Sequence, residues 1–159
     1  MGFFSNRSTD RDLIDHVTAD KVEGLFSRFR PDGGTYLAPT LQAAIDLFVP
    51  AKSGILGFGS KKQNPARPVF IAVFTDGAAG DADAIVNVIV NATKRITDRA
   101  HLGILFVQVG DDPNATRFLY KLNNDLGKSG AEHDIVAVVR LEDLEDDSPD
   151  QTIFRAFSE

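Results

Sequence analysis

The side chains best placed to do chemistry are Thr75 and Asp76, which follow a continuous apolar run at residues 69–74. The run is rich in β-branched and aromatic residues, a pattern typical of a strand buried on both faces of a parallel sheet. Open α/β sheets bind ligands at the carboxyl ends of their strands, where Asp76 and Gly77 lie. A carboxylate there can bind a cation, cap a helix or shape a turn, and the surrounding residues leave these roles open.

A second polar group, Thr35, ends a Pro-Asp-Gly-Gly-Thr sequence that precedes a predicted helix. This threonine is either a turn residue or a ligand, because Gly-Gly-Thr is also ordinary turn chemistry. Asp81 and Asp83 lie at the start of another predicted helix, where acidic side chains are favoured. Asp111 and Asp112 directly precede a proline, and proline is favoured at the first position of a helix. We expect these acids to cap helices, and Asp81 and Asp111 are also candidates for the rim of a binding site.

Other reactive groups form no catalytic pattern. The chain has no cysteine, which excludes disulfides and thiolate metal sites. No Gly-x-Ser-x-Gly nucleophile motif occurs. The three histidines have no ligand-like spacing: His16, His101 and His133. A metal-dependent phosphohydrolase using Asp76, Asp81 and Asp111 would rest only on acids at strand ends, so we predict that the protein is not an enzyme.

Size and charge narrow the class of protein further. A chain of 159 residues suits a single domain over residues 1–159. The net charge of -6 argues against a nucleic-acid partner, since such partners select basic surfaces. No apolar run reaches the ~18 residues that cross a membrane. The N-terminal residues lack the apolar core of a secretory signal, which predicts a cytoplasmic location.

Apolar spacing predicts alternating helices and strands. Helices are predicted near residues 18–29, 39–48, 82–98, 113–127 and 149–157. Strands are predicted at residues 69–74, 102–109 and 135–139, with a further edge strand at 1–4 and an acidic loop at 142–147. Helix–strand alternation with short connections predicts right-handed crossovers and a mostly parallel sheet, that is, an α/β fold.

Two phrases in this order resemble the von Willebrand factor type A domain. They are Pro-Asp-Gly-Gly-Thr-Tyr-Leu at 31–37, ahead of a helix, and Phe-Thr-Asp-Gly at 74–77, after an apolar strand. Later phrases at 103–111 and 134–136 are similar to intracellular members of that family, so the resemblance covers nearly all of the chain. It implies a three-layer, doubly wound, Rossmann-like sheet with helices on both faces, and a non-enzymatic protein–protein interaction module.

The resemblance also implies a metal-ion-dependent adhesion site at the top of the sheet. In the family, magnesium is bound there by three loops; Thr35 matches the threonine of the second loop and Asp76 the aspartate of the third. The Asp-x-Ser-x-Ser motif of the first loop is absent from this sequence. One hydroxyl and one carboxylate are few ligands for an ion that dehydrates reluctantly. We therefore expect weak or no magnesium binding by the isolated chain and a partner that completes the site.

The same comparison implies a truncated sheet, because the phrases match the family from about its third strand onward. The strand at residues 69–74 would then lack a neighbour on one side, and an apolar edge strand invites pairing. We expect a protein partner or a second copy of the chain to cover that edge, so that the protein is not a simple monomer. The alternative is a purely structural assembly subunit with an inactive metal site.

Overall fold

The computed structural model describes residues 16–28, 36–49, 65–77 and 79–145. Its helices are α1 (Ala19–Arg28), α2 (Ala38–Phe48), α3 (Ala82–Thr93), α4 (Pro113–Asn124) and α5 (Leu141–Glu145), and its strands are β1 (Val69–Thr75), β2 (Leu102–Gln108) and β3 (Val136–Arg140). Short 3-10 helices occupy Arg99–His101 and Leu126–Ser129. The three strands form one parallel sheet in the order β1-β2-β3. The alternation of helices and parallel strands confirms the α/β class.

The register aligns the carboxyl ends of all three strands. Thr75 of β1 pairs with Gln108 of β2, and Gln108 pairs in turn with Arg140 of β3. Parallel strands need crossover connections, and here α3 joins β1 to β2 while α4 joins β2 to β3. The loops that follow the strands therefore emerge at a common edge of the sheet.

The main core lies on one face of this sheet, where α2, α3 and α4 contribute their apolar sides. The helix residues packed there include Leu41, Ile45, Ile85, Ile89, Leu119 and Leu122. They share one cluster with Val73, Ile104 and Phe106 of the strands, all of them at most 5% exposed. Full burial of such a side chain stabilises the fold by roughly 1.5–3 kcal/mol.

The other face of the sheet is covered unevenly. On β2, Leu105 and Val107 are buried, and they pack with Ala137 and with Leu144 of α5. On β1, Phe74 is 54% exposed, although it lies beside Val107 in the register. The prediction that residues 69–74 are buried on both faces is therefore wrong. The strand that is buried on both faces is the central strand β2. Apolar composition indicates that a strand needs burial, but it does not indicate which face another layer covers.

Two predicted boundaries also differ from the structure. Helix α3 ends at Thr93, short of residue 98, yet Ile96 is buried in the turn that follows, so its apolar character serves the core without a helix. The predicted acidic loop begins as helix α5, since Leu144 packs against the sheet. The predicted strand at 1–4 and helix at 149–157 lie outside the described residues.

Candidate functional site

The carboxyl end of β1 presents Asp76 to solvent. The strand ends at Thr75, whose buried hydroxyl donates a hydrogen bond to the carbonyl oxygen of Gly77 at 3.1 Å. This bond fixes the turn in which Asp76 lies. Asp76 itself is exposed, and within the described ranges its carboxylate makes no hydrogen bond or ion pair. Its oxygens are therefore available to a ligand.

Asp81, five residues further on, has a carboxylate that is fully engaged with a different helix. Its Oδ1 accepts the backbone N–H of Leu37 at 3.1 Å, and its Oδ2 accepts that of Ala38 at 2.8 Å. The prediction that Asp81 caps α3 is correct only for its backbone, because its carbonyl oxygen accepts the N–H of Ile85 at 3.0 Å. Its side chain makes no hydrogen bond to α3. Asp81 thus joins the loop after β1 to the first residues of α2.

The second predicted ligand, Thr35, lies outside the described residues. The nearest described residue is Tyr36, and it is followed by Leu37, whose backbone N–H donates to the carboxylate of Asp81. Among the residues that the structure describes, no three His, Asp or Glu side chains gather into a group that could hold a metal ion. Of the two predicted ligands, the structure therefore describes only Asp76. The hydrogen bonds from Leu37 and Ala38 to Asp81, which we call the tether, begin two residues after Thr35.

The acids that follow β2 have two different roles. Asp112 caps α4, since its Oδ1 accepts the N–H of Asn114 at 2.9 Å, which confirms the predicted cap. Asp111 forms an ion pair with Arg140 at 2.9 Å, and the Asp111 side chain is 84% exposed. An ion pair that exposed contributes little to stability. Asp111 therefore remains accessible at the same edge as Asp76.

Further polar residues lie at the same edge of the sheet, at the carboxyl ends of β2 and β3. The sequence patterns did not predict a role for them. A shallow cavity of about 150 Å³ is lined by Gln108, Gly110, Arg140, Leu141 and Glu142. Gln108 is buried, and its Nε2 donates to the Gly110 carbonyl at 3.1 Å and to the Thr116 hydroxyl at 2.9 Å. A polar residue closing an apolar strand was the available signal for Gln108. Arg140, held between Asp111 and Glu142, had no such signal.

Comparisons with known proteins add no assignment: no family model matches the chain, and no curated protein matches it either. The resemblance to the von Willebrand factor type A domain therefore stays a prediction. In the part of the chain that the structure describes, no helix is both long and apolar enough to cross a bilayer.

Proposed function

We propose that this protein is a non-enzymatic protein–protein interaction module of the von Willebrand factor type A kind. Its contact surface is the carboxyl edge of the sheet around Asp76 and Thr35. The observation that supports this proposal is the pair of hydrogen bonds from Leu37 and Ala38 to Asp81. They tie the residues just after Thr35 to the loop that carries Asp76, as a shared site would require. The full three-layer, doubly wound sheet of that family is part of the same proposal.

In this proposal a magnesium ion bridges the module to its partner. Asp76 supplies an exposed carboxylate and Thr35 a hydroxyl, which are the hard oxygen ligands that magnesium prefers. Waters and a carboxylate of the partner complete the octahedron. Because the chain supplies only these two groups, the ion binds weakly to the free protein and more tightly when the partner adds its own ligand.

Thermal unfolding with magnesium, manganese or a chelator tests the cation site. A ligand that binds only the folded state raises the free energy of unfolding by about 2.7 kcal/mol at a hundredfold excess over its Kd. We expect metal to raise the Tm of the unchanged protein and of Asp83→Ala, which removes an exposed acid from the first turn of α3. The rise should vanish in Asp76→Ala. Equal responses of Asp76→Ala and the unchanged protein would contradict the site.

A purely structural assembly role is the second candidate, and the exposed face of β1 favours it. Phe74 is 54% exposed and lies beside the buried Val107, so one apolar surface continues from covered to uncovered strand. Among the described residues, β1 has a strand neighbour on one side only. A second copy of the chain covering this surface would remove it from water.

Light scattering separates this second candidate from the first. If β1 carries an assembly surface, Phe74→Ser should dissociate the assembly, while Tyr120→Ser should leave it intact. Tyr120 is a matched control because it is a 65% exposed aromatic residue on α4. A monomeric, readily soluble unchanged protein would contradict the structural role.

A further inference from the structure

We propose that the segment after α5, residues 146–159, docks on the outer face of β1 and covers Phe74. The outer face is the side of the sheet opposite the main core. On it Phe74 is 54% exposed, whereas Val107, its register partner on β2, is buried. This inference does not depend on the proposed cation site. It names an occupant for the same surface that the second candidate function assigns to a second copy of the chain.

Alternate residues of β1 form an apolar strip on the outer face. Phe70, Ala72 and Phe74 are exposed there, while Val73 belongs to the main core on the other side. Successive side chains of a strand point to opposite faces, so the three exposed side chains form one row. From residue 70 to residue 74 the row spans roughly 13 Å. An apolar sheet face of this kind is a surface for another layer of the fold to cover.

The described connections between the strands all cover the opposite face. Helices α3 and α4 pack on the main core, as right-handed crossovers in a sheet of order β1-β2-β3 require, and α2 packs there too. The chain after β3 takes the other side, because Leu144 of α5 packs on the outer face with Leu105 and Val107. The segment after α5 therefore starts on the side of the sheet that lacks a cover over β1.

This segment also starts close to Phe74. Leu144 packs against the cluster that contains Val107, and Val107 lies beside Phe74 in the register. Neighbouring strands are about 4.8 Å apart, so one strand spacing separates that cluster from the strip. Residues 146–148 can span up to about 10 Å, which is enough to cross from α5 to β1. The sequence from residue 149 onward can then lie along the strip.

The sequence of the segment matches the strip in length and in chemistry. Residues 146–159 lie outside the described part of the chain, and their pattern predicts a helix at 149–157. Ser148 and Gln151 have the spacing of a capping box at the start of that helix. A helix of this length extends over roughly 14 Å, close to the length of the strip. Its apolar residues recur at helical spacing: Ile153, Phe154 and Phe157.

Attachment to α5 favours the chain's own segment over that of a second copy. A short linker gives a tethered group an effective concentration on the order of 1 mM, about a thousandfold above that of a second copy in a ~1 µM solution. The tethered segment should therefore occupy the strip at ordinary working concentrations. The carboxyl edge of the sheet then remains for a partner, and the second candidate function loses the face that it requires.

Fluorescence of a single tryptophan tests the docking. The chain has no tryptophan, so Phe154→Trp reports on the segment alone. We expect blue-shifted emission in the folded protein, because the indole ring lies in an apolar contact, and a red shift when Phe74→Ser is added. Tyr120→Ser should leave the emission unchanged, since Tyr120 is a 65% exposed aromatic residue on α4, which packs on the opposite face. Solvent-exposed emission in Phe154→Trp itself, or a blue shift that survives Phe74→Ser, would overturn the proposal.

Cross-linking of paired cysteines identifies whose segment docks. Because the chain has no cysteine, a short bis-maleimide joins only introduced thiols. Phe74→Cys with Ile153→Cys should be linked within one chain at least about tenfold faster than Tyr120→Cys with Ile153→Cys, because docking raises the local concentration of the second thiol. Equal rates in the two pairs would show that the segment is not docked.

A mixture of the single variants Phe74→Cys and Ile153→Cys completes the test. At micromolar concentration we expect almost no linked dimer, because each chain's own segment occupies its strip. Linked dimer as the main product, in the mixture or in the double variant, would identify a second copy as the occupant and overturn the proposal.

Discussion

Asp81 and Asp112 stand in the same local context but have different roles. Each follows a strand end and immediately precedes a helix. Asp112 has extended backbone angles, φ -60° and ψ 118°, and its side chain caps its own helix. Asp81 has φ -117° and ψ 36°, outside the extended conformation typical of an N-cap, and its side chain binds the start of α2 instead. The same sequence signal thus serves either a local cap or a long-range tether.

The largest effect should come from removing the tether. Asp81→Ala leaves the N–H groups of Leu37 and Ala38 without their acceptors, and both residues are buried. Hydrogen bonds to a charged group are worth about 1.5–3 kcal/mol each and are not additive, so we expect a loss of about 2 kcal/mol. Urea unfolding measures it. A loss below about 0.5 kcal/mol is the size of an ordinary surface substitution, and it would contradict the long-range role of Asp81.

Removing the local cap should cost less. Asp112→Ala deletes one hydrogen bond, from the N–H of Asn114, at an exposed helix start. Loss of an N-cap typically costs about 1 kcal/mol. The same urea titration should therefore rank Asp112→Ala between Asp81→Ala and the unchanged protein. The reverse order of the two alanine variants would show that the hydrogen bonds to Asp81 stabilise the fold less than the Asp112 cap does.

Asparagine should sharpen the contrast with the smallest change in chemistry. In Asp112→Asn the amide oxygen can still accept one hydrogen bond, and asparagine caps helices about as well as aspartate, so we expect stability to shift by less than about 0.5 kcal/mol. Asp81→Asn keeps one acceptor of two and should cost about 1 kcal/mol. Equal effects of the two asparagine variants would mean that only one of the hydrogen bonds to Asp81 matters.

How far the sequence predicts this molecule depends on how local each feature is. The three described strands, helices α1 to α4 and the Asp112 cap follow from neighbouring residues and were predicted, although α3 ends earlier than predicted. The exposure of Phe74 could not be predicted from the sequence. Phe74 and Phe106 are equally apolar, and only the surrounding layers decide which of them is covered. Helix α5 was not predicted, because the segment at 142–147 is acidic. The role of its Leu144 follows only from its packing against the sheet.

The candidate site shows the same division. Its exposed member, Asp76, was predicted from its place after an apolar strand. The partners of Asp81 lie 44 and 43 residues away, so no local pattern could supply them. Arg140 was missed for a similar reason, because its pairing with Asp111 depends on the alignment of β2 with β3.

In the proposed function a cation binds at Asp76. Paramagnetic broadening of backbone amide signals by Mn²⁺ tests it most directly, because the broadening falls steeply with distance from the ion. We expect the strongest broadening at Asp76, Gly77 and Leu37, and its loss in Asp76→Ala. Broadening centred on Asp111 and Glu142, or none at any concentration that leaves the protein folded, would contradict it.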